Sequence, residues 1–209
     1  MKCPSICNRP TVLIIVITDD HVEPRCFQSI LNQDYVDFAC IVHYLRPVQE
    51  LNKHANVVRN LNAIREMALL TEYKHFFFVD SDIILPSNAL SSLLSHRKDV
   101  IGGWYRMKSG KFWVSAKWVA DNTMVHLAPE YSVTKTDLVG HGCMLLSMRA
   151  LESLYFEDGT DLKCIVETGE VCLGPCATFG NLAARCGIEM YMDGSVICGH
   201  IDRLNGTVI

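Results

Sequence analysis

Two carboxylates one residue apart follow a strongly apolar segment in the middle of the chain. Asp80 and Asp82 come directly after Phe76–Val79, and apolar residues resume at Ile83. Carboxylates are costly in a protein core unless they are paired. We therefore expect both at the carboxyl end of a buried strand, where open α/β sheets bind ligands. Two hard oxygen donors at this spacing suit a divalent cation such as Mg²⁺ or Mn²⁺, although a polar turn after a strand explains the same pattern.

Apolar segments typical of strands alternate with amphipathic segments typical of helices in the first half of the chain. Each predicted strand ends near polar residues, and the opening strand, helix and strand indicate a parallel pair with a right-handed crossover. We predict strands at Thr11–Thr18, Phe38–Leu45, Phe76–Asp82, Asp99–Gly103, Cys143–Ser147, Glu189–Met192 and Val196–Cys198. We predict helices at Pro24–Leu31, Asn60–Leu70, 149–154 and Phe179–Cys186, and one that Ser87 caps and that runs through Leu94.

The segments between these elements are polar or weakly patterned. Residues 47–58 form a polar connector, 107–138 an antiparallel hairpin with long loops, and 157–178 a loop rich in Glu, Asp, Gly and Cys. With no repeat or interdomain linker, the chain is predicted to be a single α/β domain over 1–209. Its central sheet is mainly parallel with a small antiparallel part, after an irregular lead-in at 1–10.

Composition excludes several classes of protein. The chain has 209 residues, of which 49% are hydrophobic and 20% charged, with a net charge of −4. There is no basic stripe, so nucleic acid is not an expected partner. The apolar run Val12–Ile17 is too short to span a bilayer and lacks the features of a signal peptide. We therefore expect a cytoplasmic protein without a transmembrane segment.

The ten cysteines leave more than one interpretation open. Free thiols are the expectation, because several cysteines lie in apolar segments where Cys behaves as a small hydrophobic residue. The pairs Cys3/Cys7 and Cys172/Cys176 have a loose spacing for a zinc site. Disulfides are the third interpretation, and they would indicate an oxidising compartment or a hyperthermophilic source.

Several motifs in order along Thr11–Ile201 resemble the GT-A fold nucleotide-sugar glycosyltransferases, in particular the inverting, family-2-like group. Phe78–Asp82 is similar to the family's DxD motif, and Arg59–Arg65 to the helix before it. The other matching segments are Gln28–Tyr35 after the first strand, Val100–Tyr105, Gly142–Leu146, Leu182–Gly187 and Ser195–Ile201.

The resemblance implies a metal-dependent glycosyltransferase that moves a sugar from a UDP- or GDP-sugar to a hydroxyl of a glycan, protein or lipid. It assigns 11–100 to the nucleotide-sugar donor and 101–209 to the acceptor side. In it, Asp82 ligates Mn²⁺ or Mg²⁺, Asp80 lies near the ribose or the metal, and His200 is the third protein ligand. Donor contacts are expected from Asp19, Asp20, Arg59, Arg65 and Ser81, and acceptor contacts from Trp104, Tyr105 and His141. Each assignment has an alternative. The aspartates could be turn or cap residues, the arginines could lie on a solvated helix face, and Trp104 could be buried in the core.

One departure from the family pattern concerns the catalytic base. Many inverting members carry a Glu-Asp pair about a dozen residues before the glycine that ends the closing helix, and its Asp is the base. Here Pro175 and Cys176 occupy those positions. Either the base has moved, to Glu170 or Glu167, or the enzyme is of the retaining type, or the protein has lost activity.

Two other functions compete with the glycosyltransferase hypothesis. A nucleotidyltransferase also uses an α/β sheet and acidic metal ligands, but usually carries a Gly-rich phosphate loop after the first strand. Asp19-Asp20-His21 stands there instead. A carbohydrate- or nucleotide-binding protein that keeps the fold without catalysis is the second competitor, which the missing base favours.

Overall fold

The computed structural model describes residues 11–108, 110, 112–120, 123–159, 163–166, 169–172 and 174–209, without the side chains of 163, 164, 166 and 169–172. The helices of this part of the chain are Pro24–Leu31 (α1), Lys53–Leu69 (α2), Ala89–Ser95 (α3), Met148–Ser153 (α4) and Pro175–Arg185 (α5). The strands are Val12–Thr18 (β1), Phe38–Tyr44 (β2), His75–Asp80 (β3), Ile83–Ile84 (β4), Val100–Trp104 (β5), Ser115–Ala120 (β6), Thr123–His126 (β7), Val133–Thr136 (β8), Leu138–Val139 (β9), Cys143–Ser147 (β10), Lys163–Val166 (β11), Gly169–Cys172 (β12), Met190–Ile197 (β13) and Gly199–His200 (β14).

A seven-stranded sheet in the order β2-β1-β3-β10-β5-β13-β8 forms the centre of the molecule. Five strands run in one direction, whereas β10 and β8 run antiparallel to their neighbours. A mostly antiparallel sheet, β12-β11-β7-β6-β9, and the short pair β14-β4 complete the described strands. The predicted α/β class with a mainly parallel central sheet is confirmed.

Apolar residues on both faces of the central sheet explain why its strands read as continuous hydrophobic runs. Alternate residues of β1 point to opposite faces. Leu13, Ile15 and Ile17 pack in a core with α2, α4 and α5, whereas Ile14 and Val16 pack in a second core with α1 and α3. The sheet is therefore the middle layer of three, and the polar residues that follow β1 and β3 lie at the carboxyl ends of these strands.

Several helix and strand boundaries differ from the predicted ones for local reasons. Helix α2 begins at Lys53, within the predicted connector, because the side chain of Asn52 accepts a hydrogen bond from Ala55 N and caps it. Helix α5 begins at Pro175, a residue suited to the first helical turn. The N-cap of α3 is Asn88 rather than Ser87. The two predicted C-terminal strands are one strand, β13, whose register shifts within it.

The cysteines with described side chains are free thiols: Cys26, Cys40, Cys143, Cys176, Cys186 and Cys198. Cys3 and Cys7 lie outside the described residues, and the side chains of Cys164 and Cys172 are not described. In the same part of the chain, no helix has the length and apolar character needed to cross a membrane.

The buried carboxylate of Asp193 connects α3 to β13 through hydrogen bonds. Asp193 is 3% exposed and accepts hydrogen bonds from the Ser92 hydroxyl at 2.6 Å and from the backbone N–H of Ser195 at 2.9 Å. His96 Nε2 lies 3.0 Å from the same carboxylate. Burial alone would raise the pKa of Asp193, but these hydrogen bonds lower it below its ordinary value.

Asp193→Ala should destabilise the protein by about 2–4 kcal/mol at pH 7, because four polar groups lose their acceptor: the hydroxyls of Ser92 and Ser195, the N–H of Ser195 and the ring of His96. A carboxyl group with a lowered folded-state pKa contributes stability above its unfolded pKa, and that stability is lost as the pH falls through the folded value. The difference from wild type should therefore shrink below about pH 4. Urea unfolding at pH 7 and at pH 3 measures the loss of stability and its dependence on pH. Asp20→Ala, which removes an exposed carboxylate, is the control. An equal difference at the two pH values would contradict the assignment.

Candidate functional site

A charged cleft of about 190 Å³ lies at the carboxyl edge of β1 and β3. Because β1 and β3 pair in parallel with Ile17 beside Asp80, the polar residues after both strands meet at this edge. The sequence-predicted residues that line the cleft are Asp19, Asp80, Ser81, Asp82, His141 and His200. We call this site the central cleft.

Asp82 and His200 are brought together by the pairing of β4 with β14. His200 pairs with Ile83, and the N–H of Ile201 donates to the carbonyl of Asp82 at 2.8 Å. His200 Nδ1 donates to the carbonyl of Arg106 at 2.7 Å, which turns Nε2 toward Asp82 Oδ1 at 3.5 Å. Two residues far apart in sequence thus form one charged contact. The side chain of His200 is 8% exposed and that of Asp82 is 7% exposed.

The electrostatics of this pair follow from burial and mutual attraction. Burial alone would raise the pKa of Asp82, but His200 and Lys108 lower it to about 2. Burial alone would lower the pKa of His200, but Asp82 and the carbonyl of Arg106 raise it. Asp82 is therefore ionised at neutral pH and provides a permanent negative charge at the floor of the cleft.

Asp80 turns toward a different imidazole. Its Oδ1 lies 3.3 Å from His141 Nδ1, and its backbone N–H donates to the carbonyl of Gly142. The N–H of Gly142 in turn donates to the hydroxyl of Tyr105 at 3.2 Å. Tyr105 is 6% exposed and presents its ring edge-on to His200, so one buried tyrosine supports both halves of the cleft.

Gly142→Ala should disturb this support, because an added Cβ would lie 2.8 Å from both Asp80 Oδ2 and the Tyr105 hydroxyl. We expect a loss of about 1–3 kcal/mol in the free energy of unfolding, as for other overpacked sites. Gly174→Ala is the matched control, because no atom lies within 4 Å of its Cβ position. Denaturant unfolding of both variants measures the difference. Equal stability of the two variants would contradict the close packing at Gly142.

Cys176, which stands where the family resemblance expects an aspartate, lies beside His141. Burial alone would raise the pKa of Cys176, but the charge and hydrogen bonding of His141 lower it. Burial alone would lower the pKa of His141, but Cys176 and Asp80 raise it well above its ordinary value. Cys176, His141 and Asp80 therefore form one cluster of titratable side chains, in which a thiol stands at the position of the expected carboxylate base.

The donor atoms of the central cleft partly fit a divalent cation. Ligand atoms bound at about 2.0–2.2 Å from one ion lie about 3–3.5 Å apart, so Asp82 Oδ1 and His200 Nε2 suit adjacent ligands. The hydrogen bond from His200 Nδ1 to a carbonyl is the usual support of a ligating histidine. Within the described ranges, however, no three His, Cys, Asp or Glu side chains converge on one point. Asp80 is thus not placed as the third ligand.

Two cationic side chains of the cleft were missed by the sequence analysis. Lys108 Nζ lies 3.0 Å from Asp82 Oδ2, and Arg203 Nε lies 3.7 Å from the same atom. Arg203 also contacts Asp19 at 3.1 Å and donates to the hydroxyl of Ser81. Only the position of Arg203, three residues after His200, offered a signal. Lys108 sits in a polar loop with no motif.

Several predicted site residues lie elsewhere. Arg65 donates to the carbonyls of Leu151 and Leu154 and so ties α2 to α4, which does not suit the predicted diphosphate contact. Trp104 is fully buried and packs edge-on against Trp113, which favours the alternative of core burial over the predicted acceptor contact.

Arg59 and Asp20 do not line the central cleft. Arg59 is exposed and donates to the carbonyl of Arg46, and Asp20 contacts His21 at the surface. Glu167 lies outside the described residues, and of Glu170 the structure describes only the backbone, in β12. Their roles as donor contacts and catalytic base stay predictions.

Comparisons with known proteins found similarity to solved structures but no match in sequence. No protein-family model matches the chain, and no curated protein matches it in sequence. The structure of A197 from STIV is similar to 95% of this chain and 92% of its own, with a TM-score of 0.59 and 12% identity. GalNAc-T7, solved with UDP, GalNAc and Mn²⁺, is similar to 95% of this chain with a TM-score of 0.62 and 10% identity.

At this level of identity the comparisons establish the fold, which is GT-A-like. This chain spans about 45% of the GalNAc-T7 chain that it matches. The ligands of that protein therefore describe GalNAc-T7 and enter the following section only as support.

Proposed function

We propose that the protein is a metal-dependent glycosyltransferase, similar to the family-2-like group, that transfers a sugar from a UDP- or GDP-sugar to an acceptor hydroxyl. The observation that carries this proposal is the contact between Asp82 and His200, brought from separate strands to the carboxyl edge of a GT-A-like sheet. The structure of GalNAc-T7 with UDP, GalNAc and Mn²⁺ supports the class of donor.

In this proposal Asp82 and His200 hold Mn²⁺ or Mg²⁺. A divalent cation at this position neutralises the negative charge that develops on the departing diphosphate. The carbonyl of Arg106 and the ring of Tyr105 fix the orientation of His200. Asp82 is ionised and buried, so it can bind a cation without first losing a proton.

The other cleft residues have roles that follow from their exposure. Asp19 is 75% exposed at the rim, and we assign it to the ribose or base of the nucleotide. Asp80, oriented by His141, faces the cleft interior and is assigned to the ribose. His141 is assigned to the acceptor side. There it contacts the acceptor, whose hydroxyl belongs to a glycan, protein or lipid.

His200→Ala should weaken Mn²⁺-promoted nucleotide binding by about tenfold, less than loss of Asp82, because one neutral ligand is removed and the carboxylate stays. Calorimetric titration of UDP and GDP with and without Mn²⁺ measures the change. The control is His96→Ala, which removes a histidine whose partner is Asp193 outside the cleft. Unchanged Mn²⁺ dependence would return His200 to a structural role.

A turnover assay tests the proposed activity. The protein is incubated with UDP- and GDP-sugars, Mn²⁺ and mixed glycan, peptide and lipid acceptors, and the released nucleoside diphosphate is measured. We expect release that needs both Mn²⁺ and an acceptor. Nucleotide binding without release would favour the second candidate, a non-catalytic binding protein, which the presence of Cys176 in place of the expected aspartate supports.

A further inference from the structure

Lys108 and Arg203 reach the same oxygen atom of Asp82 from two different segments. Lys108 follows β5 and its Nζ lies 3.0 Å from Asp82 Oδ2. Arg203 follows β14 and its Nε lies 3.7 Å from that oxygen. Because both nitrogen atoms contact one oxygen, a single diphosphate group is long enough to touch both cations.

Both side chains keep unused hydrogen-bond donors. A lysine ammonium has three N–H donors and an arginine guanidinium has five. In the described residues, Arg203 donates from Nη1 to the carboxylate of Asp19, and from Nη2 to the hydroxyl of Ser81 and the carbonyl of His21. Its Nε is buried without a hydrogen-bond partner in the same residues. The site therefore has donor capacity that its own carboxylates do not satisfy.

The two cations differ in how firmly they are held. The side chain of Arg203 is 23% exposed and is fixed by contacts to Asp19 and Ser81. The side chain of Lys108 is 66% exposed and contacts only Asp82 among its charged neighbours in the described residues. Exposed lysine ion pairs contribute little to stability, so Lys108 can leave Asp82 at small cost.

We propose that Lys108 and Arg203 form a diphosphate-binding clamp. Arg203 is its fixed member, and Lys108 exchanges its contact with Asp82 for phosphate oxygens when the ligand enters. The exchange frees Asp82 Oδ2 for a cation, so anion and cation occupy the cleft together. The clamp rests on the proposed function, because the diphosphate belongs to the nucleotide-sugar donor.

Opposite changes in two affinities test the clamp. Lys108→Met and Arg203→Gln are compared with wild type by calorimetric titration with inorganic pyrophosphate, UDP, GDP and uridine, and with Mn²⁺ alone. In Lys108→Met, we expect pyrophosphate and UDP or GDP to bind about tenfold more weakly, whereas Mn²⁺ alone binds several-fold more tightly because its competitor for Asp82 is gone. Arg203→Gln should weaken the binding of pyrophosphate and of UDP or GDP by a similar factor. Uridine binding should not change.

Matched controls separate the clamp from general charge effects. Lys135→Met removes a lysine of similar exposure, 58%, that pairs with Glu189 outside the cleft. Arg149→Gln removes an arginine that pairs with Asp99 and is more exposed than Arg203, at 70% against 23%. Thermal unfolding without ligand shows whether each variant is folded, and Lys108→Met keeps the test valid if Arg203→Gln unfolds.

The possible outcomes are distinct. If wild type binds UDP or GDP and Lys108→Met binds it equally well, the clamp is wrong and the donor site stands. An equal loss in Lys135→Met would also overturn it. If wild type binds neither pyrophosphate nor any nucleotide, both the clamp and the proposed function are wrong. Tighter binding of UDP or GDP than of pyrophosphate would identify a nucleoside diphosphate, rather than free pyrophosphate, as the ligand.

Discussion

Asp82→Asn should lower the Mn²⁺-promoted affinity for the donor nucleotide by about 100-fold or more. The substitution keeps the shape of the side chain but removes the negative charge that faces His200, Lys108 and Arg203. The two cationic side chains, Lys108 and Arg203, then repel a divalent cation without compensation. The nucleotide affinity measured in chelator should change much less, because the clamp keeps its two cations.

The control for this variant is Asp99→Asn, which removes a carboxylate paired with Arg149 just before the start of β5, away from the cleft. Titration with Mn²⁺ and nucleotide, together with unliganded thermal unfolding, separates binding from stability. Wild-type Mn²⁺ dependence in a folded Asp82→Asn protein would contradict the assignment of the metal.

Glu170→Gln should slow sugar transfer by two to four orders of magnitude, the usual contribution of a general base. Among the described residues, the carboxylates of the cleft already have partners. Asp80 and Asp82 lie beside His141 and His200, Asp19 contacts Arg203, and His200 is assigned to the metal.

The base is therefore expected from the acidic segment that precedes α5, where Glu170 is the first candidate and Glu167 the second. Donor binding should stay unchanged in Glu170→Gln, because the residue is not assigned to the nucleotide. Glu189→Gln, which removes an exposed carboxylate paired with Lys135, is the control. Single-turnover rates at saturating donor measure the effect. Wild-type turnover would move the search to Glu167.

The residues that carry the donor hypothesis were found from sequence because they interrupt strong patterns. Phe76–Val79 reads as a strand buried on both faces, and Asp80 and Asp82 are conspicuous after it. The parallel register then places Asp19 and Asp80 at one edge without further information. Where a charged residue ends an apolar strand, sequence and structure agree.

Residues whose role depends on long-range packing were not predicted. Arg65 resembles a cleft-facing arginine in sequence, but its guanidinium satisfies carbonyls at the end of α4, 86 or more positions away. Lys108 and Arg203 stand in polar segments of ordinary composition, and only the folded loop and tail bring them to Asp82. Trp104 follows two glycines at a strand end, a position where the sequence suggests an exposed ring. In the structure its ring is buried in the core and packs against Trp113.

The most direct test of the donor site is a thermal-shift panel on the wild-type protein with UDP, GDP and other nucleotides, each in Mn²⁺ and in chelator. A ligand that binds only the folded state raises the midpoint according to its concentration relative to its dissociation constant. We predict a clear rise for one nucleoside diphosphate in Mn²⁺ and a much smaller rise in chelator, since the clamp alone binds weakly. No rise with any nucleotide in either condition would contradict the proposal that the central cleft binds a nucleotide-sugar donor.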